Sequence, residues 1–161
     1  MSPGTTGVHA ATYVKRFGSK KQLTLALTRR WADSIPAVAT TQQEPLTELR
    51  SWVLDSYGQF AVPHRAIAQV VALAQDMADP DIRQVVAGAW ARQHAYVAAL
   101  LSAATERGEL PTAPGAALAA QLLLSAAEGS VVRWSARPDH SLVEHLEMLL
   151  DAILDPWRRQ P

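Results

Sequence analysis

No stretch constrains the fold of this chain more than the one from Asp79 to Gly108. Asp79-Pro80-Asp81 joins a capping side chain, a proline whose missing N–H costs nothing in a first turn, and an acid facing the positive end of a helix dipole. Behind it Ile82, Val85, Val86, Ala89, Trp90, Val97, Leu100, Leu101 and Ala104 recur at helical spacing. Arg107-Gly108 then supplies a basic residue and a glycine of the kind that ends helices. A helix so long, apolar along one stripe, needs partners along its whole length, and the remaining sequence must supply them.

It supplies more helices. Gly18 ends a short helical segment over His9 to Arg16, and Ser19, with Gln22 as its capping partner, opens the next, striped by Leu23, Ala26, Leu27, Arg30 and Trp31. Glu44-Pro45 starts another, carrying Leu46, Leu49, Trp52, Val53, Tyr57 and Phe60 and stopped by Pro63. A shorter helix follows from Arg65 to Met77. Pro114 opens one that runs to about Ser135, apolar and small-residue-rich nearly all round, and therefore covered on several sides, by its own domain or another subunit. After Pro138, Ser141 and Glu144 form a second capping box ahead of a stripe of Leu142, Leu146, Leu149, Ile153 and Trp157. No run alternates with strand period. The expectation is an all-α fold, a bundle of six or seven helices, consistent with a composition in which Ala and Leu dominate and aromatics make up 6%.

Several functions are disfavoured. The chain has no cysteine, so disulfides and thiolate metal sites are absent. No signal core precedes the helices, and the most apolar run, Ala116 to Ala127, is too short to span a bilayer, so a cytoplasmic protein without membrane contact is expected. The five histidines, His9, His64, His94, His140 and His145, do not cluster at ligand spacing, and the His140/Glu144 pair reads as a helix start. No nucleophile motif or phosphate loop stands out. The expectations are no metal, no cofactor and no enzyme activity.

A net charge of zero hides a segregation. Residues 1–32 hold Lys15, Arg16, Lys20, Lys21, Arg29 and Arg30 with no acid, a charge of +6; the remainder holds nine arginines and all fifteen acids, a charge of −6. A basic end on an acidic body suits contact with a polyanion, and on charge alone a solvated basic face serves as well. Lys20 and Lys21 fall in a helix's first turn, where the dipole disfavours cations but free N–H groups bind anions. A phosphate there would supply the missing negative charge, or two exposed lysines are simply tolerated there at little cost. Ahead of them, Ala10 and Ala11 would let a helix approach base edges, and Thr12, Lys15 and Arg16 offer a hydroxyl and two cations.

The stretch from Gly7 to Leu23 resembles the recognition helix and following linker helix of the TetR family of transcriptional regulators. Gly7, Val8, Thr12, Phe17, Ser19, Lys20 and Leu23 fall on that family's pattern. The resemblance implies that Thr12, Arg16 and Lys20 clamp phosphates and that Ala10, Ala11, Val14 and Lys15 face bases in the major groove. It departs where the family usually has Leu-Tyr: here Tyr13-Val14 stands, Val14 cannot hydrogen-bond, and Tyr13 would substitute. The family also has a first helix and most of a second before Gly7, where this sequence has six residues. The implied helix-turn-helix is truncated at its start, through a start placed downstream, a fragment, or a headless homologue.

The body resembles the family's regulatory domain at Asp79 to Arg83, Trp90, Gln93 and Glu106 to Pro111. The implied organisation is a helix-turn-helix remnant over 1–32 and a ligand-binding and dimerisation domain over 33–161. Trp52, Tyr57, Phe60, Met77, Trp90 and His94, with Tyr96, would line an apolar effector pocket, or serve as ordinary core. Leu122, Ala126, Gly129, Leu142, Leu146, Leu149 and Ile153 would pair with a second copy. The implied function is a homodimeric repressor, released from palindromic operator DNA by a small apolar effector; the alternative is a headless dimerising or ligand-binding homologue that does not bind DNA.

Overall fold

The computed structural model describes residues 19–37 and 44–158. Its elements are α1 (Lys20–Ser34), α2 (Pro45–Gly58), α3 (Pro63–Ala78), α4 (Pro80–Glu106), α5 (Ala116–Ala136) and α6 (Leu142–Arg158), and the described residues contain no strand. The division expected after residue 32 falls in the last turn of α1.

The 27-residue α4 is the axis of the bundle. Helices α1, α2, α3 and α5 all pack on it, α5 also packs on α2, α3 and α6, and α2 closes against α6. The ends of α4 form as the local sequence dictates. The Asp79 carboxylate accepts from the N–H groups of Asp81 and Ile82 at 2.9 and 3.4 Å. At the other end Gly108 takes φ +76°, the Glu109 N–H reaches back to the Ala104 carbonyl, and the Gly108 N–H to that of Thr105, both at 2.9 Å. That is a complete Schellman closure, and glycine takes the left-handed conformation at Gly108 without the penalty a Cβ brings.

Two boundaries differ from expectation. Pro63 does not merely stop α2, which ends at Gly58; it occupies the first turn of α3, where a proline needs no N–H partner. The expected core stripe of α6 is also rotated. Leu142, Leu146, Leu150 and Leu154 are the fully buried row, while Leu149, Ile153 and Trp157 lie half-buried beside it. A short apolar run fits both rows, and packing against α2 and α5 selects one.

The main core joins Leu49 and Val53 of α2, Val97, Leu100 and Leu101 of α4, Leu123 and Ala127 of α5, and the Leu142–Leu154 row. Each buried leucine contributes about 1.5–3 kcal/mol of transfer free energy. Helix α1 takes no part in it. Its seam with α4 is a separate small cluster of Ala32, Ile35 and Ala89, with Val85 packed alongside.

Candidate functional site

The N-terminus of α1 is built from Ser19, whose Oγ accepts the Gln22 N–H at 3.2 Å. Lys20 and Lys21 follow in the first turn and have different surroundings. Lys20 is exposed and makes no ion pair among the described residues. Lys21 Nζ lies 2.6 Å from Asp81 Oδ2 and 3.0 Å from Asp79 Oδ2. The negative charge that Lys21 needs against its own helix dipole therefore comes from the first turn of α4, not from outside. Titration reflects the arrangement: hydrogen bonds to Asp81 and then Asp79 raise the Lys21 ammonium above its ordinary range, and the bond from Lys21 holds Asp79 below the usual carboxylate range. The other expected DNA-contacting residues, Ala10, Ala11, Thr12, Tyr13, Val14, Lys15 and Arg16, lie outside the described residues.

At its far end α1 is tied to α4 again, by Arg92 and Asp33 at 3.4 Å. Lys21 and Asp33 on one helix meet Asp81 and Arg92 on the other, so the two helices run parallel. A cleft of about 420 Å³ opens between them, lined by Leu25, Arg29, Asp81, Gln84 and Val85. None of the residues expected to form a pocket lines it.

Those pocket residues divide into groups. Trp52 stands edge-on to Tyr57 at 6.4 Å and to Tyr96 at 5.5 Å between ring centroids. Phe60 packs against the same core. His94 Nε2 is 2.9 Å from the Ala117 carbonyl oxygen, linking α4 to α5. Met77 sits near the end of α3 and Trp90 in the first half of α4, each half-buried. Sequence patterns did not disclose the carboxylates that accompany the tyrosines. The Tyr96 hydroxyl donates to Glu48 Oε1 at 2.6 Å, and the Tyr57 hydroxyl to Glu128 Oε1 at 3.4 Å. Burial raises the Glu128 carboxyl, with the Tyr57 bond opposing, and burial raises both tyrosine hydroxyls. The arrangement is an aromatic interior with two acid–hydroxyl pairs. Gln93 Oε1 is also buried and accepts no hydrogen bond.

The residues expected at a subunit contact separate as well. Leu142 and Leu146 are 1% and 0% exposed and belong to the chain's own core, so they present no surface to a partner. Leu122 is exposed, Ala126, Gly129, Leu149 and Ile153 are half-buried. Helix α5 carries an outward row of Leu118, Leu122, Ser125, Gly129 and Val132, and Met148 of α6 is 62% exposed. The spacing of that row, alternating four and three residues, was visible in the sequence, but the all-round apolar character of α5 masked it.

Ser130 Oγ and His145 Nε2 meet at 3.3 Å between α5 and α6, and the His140 and His145 rings lie 5.2 Å apart. No group of three or more His, Cys, Asp or Glu able to hold a metal ion is found among the described residues, and no helix there is long and apolar enough to cross a membrane.

A family model for the C-terminal domain of BetI-type transcriptional repressors matches residues 63–156, more than half of the chain, from the start of α3 into the last turn of α6. No curated protein and no solved structure matches the chain.

Proposed function

This chain belongs to the TetR family of transcriptional regulators through its BetI-type repressor domain, and on that premise we propose that it is a homodimeric repressor that holds operator DNA through the arm ending in α1 and releases it when a small apolar molecule binds the body. The observation that carries the DNA reading is the contrast at the tip. Lys20, alone of the two lysines there, has no carboxylate partner among the described residues and stands beside the unpaired N–H groups of a helix start. With Ala10, Ala11, Thr12, Tyr13, Val14, Lys15 and Arg16 of the preceding segment it would form the operator contact.

The second copy is assigned to the outward row of α5 with the flank of α6. Ser125 and Gly129 lie mid-row, and a Cβ added to Gly129 would meet open space, so a partner helix has room to approach. Leu122, Ala126, Leu149 and Ile153 would border the contact, and Leu118, Val132 and Met148 extend it. The effector is assigned to the Trp52, Tyr57 and Tyr96 rings, with Phe60, Met77, Trp90 and His94 nearby in sequence or fold and the acid–hydroxyl pairs as polar handles. It would act by favouring a body conformation that misplaces the two arms on DNA.

The test is a gel-shift titration of the full chain against DNA upstream of its own gene across a range of salt. Binding is expected, and Lys20→Ala should weaken it and reduce the slope of log affinity against log salt by about one. No shift at low salt would remove the DNA reading and leave a dimerising, ligand-binding protein.

A further inference from the structure

We propose that Lys21 is a positioning residue, not a phosphate ligand: with Asp81 and Asp79 it forms a clamp that fixes the angle of α1 on the body. The geometry of the clamp stands on its own, and its consequence for DNA rests on the function proposed above.

Three observations carry it. First, α1 packs along α4 without entering the main core. The apolar seam of α1 is a cluster of Ala32, Ile35 and Ala89, detached from the main core, and the cleft lined by Leu25, Arg29 and Val85 leaves the seam unfilled toward the tip. Second, the ties are placed at both ends and reversed in sign. Lys21 of α1 meets acids of α4 at one end, and Asp33 of α1 meets Arg92 of α4 at the other. Sliding or tilting α1 breaks one tie or both, and opposite polarity disfavours the inverted pairing.

Third, the clamp grips a corner and not merely a helix face. Asp79 is the single residue between α3 and α4 and caps α4 with Oδ1 while holding Lys21 with Oδ2. The Asp79 N–H also donates to the Asp76 carbonyl at 3.2 Å, and Arg83 reaches the Met77 carbonyl at the same distance. A displacement of α3 against α4 thus moves Asp79, and Asp79 moves Lys21. In parallel helices both positive dipole ends lie side by side, and the two carboxylates between them serve both. Exposed ion pairs add little to stability, so the effect belongs to the arm's position and not to folding.

The chain has no cysteine, so a pair of nitroxide labels can be placed cleanly. We would label Arg30→Cys on α1 and Ala99→Cys on α4, both exposed, dilute with unlabelled chain, and measure the interlabel distance distribution. Lys21→Met and Asp81→Asn should each broaden or shift it, the two together should do no more than either alone, and Lys21→Arg should retain the parent distribution. An unchanged distribution in Lys21→Met, or additive effects of the two substitutions, would overturn the proposal. In the gel-shift series Lys21→Met should leave the salt slope unaltered, whereas loss of about one from the slope would make Lys21 a phosphate ligand. Should the parent chain fail to bind DNA, the function proposed above falls, and the label distances still decide the clamp.

Discussion

Tyr96 of α4 donates its hydroxyl to the Glu48 carboxylate of α2 at 2.6 Å, with 4% of the tyrosine and 6% of the glutamate exposed. An ionisable group so enclosed is tolerable only while it keeps its donors. Tyr96→Phe removes one of them and nothing else of comparable size. The expected loss is about 1–3 kcal/mol of folding free energy, read from urea denaturation. Tyr96→Phe combined with Glu48→Leu should recover part of that loss, since no buried acceptor then remains at Glu48.

Glu128 gives a pH-dependent prediction of the opposite kind. Burial raises its carboxyl in the folded chain, against the opposing Tyr57 bond. A carboxyl with a raised folded-state pKa stabilises most when protonated, and its contribution falls as pH rises through the folded-state value. Glu128→Gln keeps an acceptor for Tyr57 and removes the ionisation. Its melting temperature should exceed that of the parent at about pH 8, with the gap closing toward about pH 4. A gap of equal size at both ends would place the effect in packing instead.

Leucines in the last two helices should separate by face. Leu146→Ala opens a void in a residue 0% exposed and should cost about 2–5 kcal/mol in denaturation. Leu122→Glu lies on the outward row, 48% exposed, and should leave the melting of the monomer within about 0.5 kcal/mol of the parent. Its effect is expected in light scattering, where the parent should run as a dimer and Leu122→Glu as a monomer.

Gly108→Ala tests the closure of α4. A Cβ there meets nothing within 4 Å, so no clash contributes. The whole cost is the left-handed backbone at φ +76°, about 1–2 kcal/mol by denaturation.

What could be read in the sequence was local. Asp79-Pro80-Asp81, Ser19 with Gln22, and Arg107-Gly108 specify helix ends within a few residues, and the structure forms each of them. The resemblance to the family also rested on local motifs, Gly7 to Leu23 and Asp79 to Arg83 among them. What depended on distant partners was not legible. The first-turn charge of Lys21 pointed equally to an external anion, because its acids lie about sixty positions further along the chain. The stripe of α6 gave a period without a phase, so Leu142 and Leu146 looked as available to a partner as Leu149 and Ile153. Nothing local in the sequence signals that Glu48 and Glu128 will meet Tyr96 and Tyr57.

The detached seam of α1 has a consequence for how such a protein can change over generations. A helix whose buried seam is the cluster of Ala32, Ile35 and Ala89, with a charge tie near each end, contributes no side chain to the main core. Substitutions that remodel the main core need no matching change in α1. Likewise, a different arm could be grafted onto this body by keeping small residues along the seam and the signs of the charges at its ends. The junction therefore acts as an interchangeable fitting, letting α1 and the main core diversify separately.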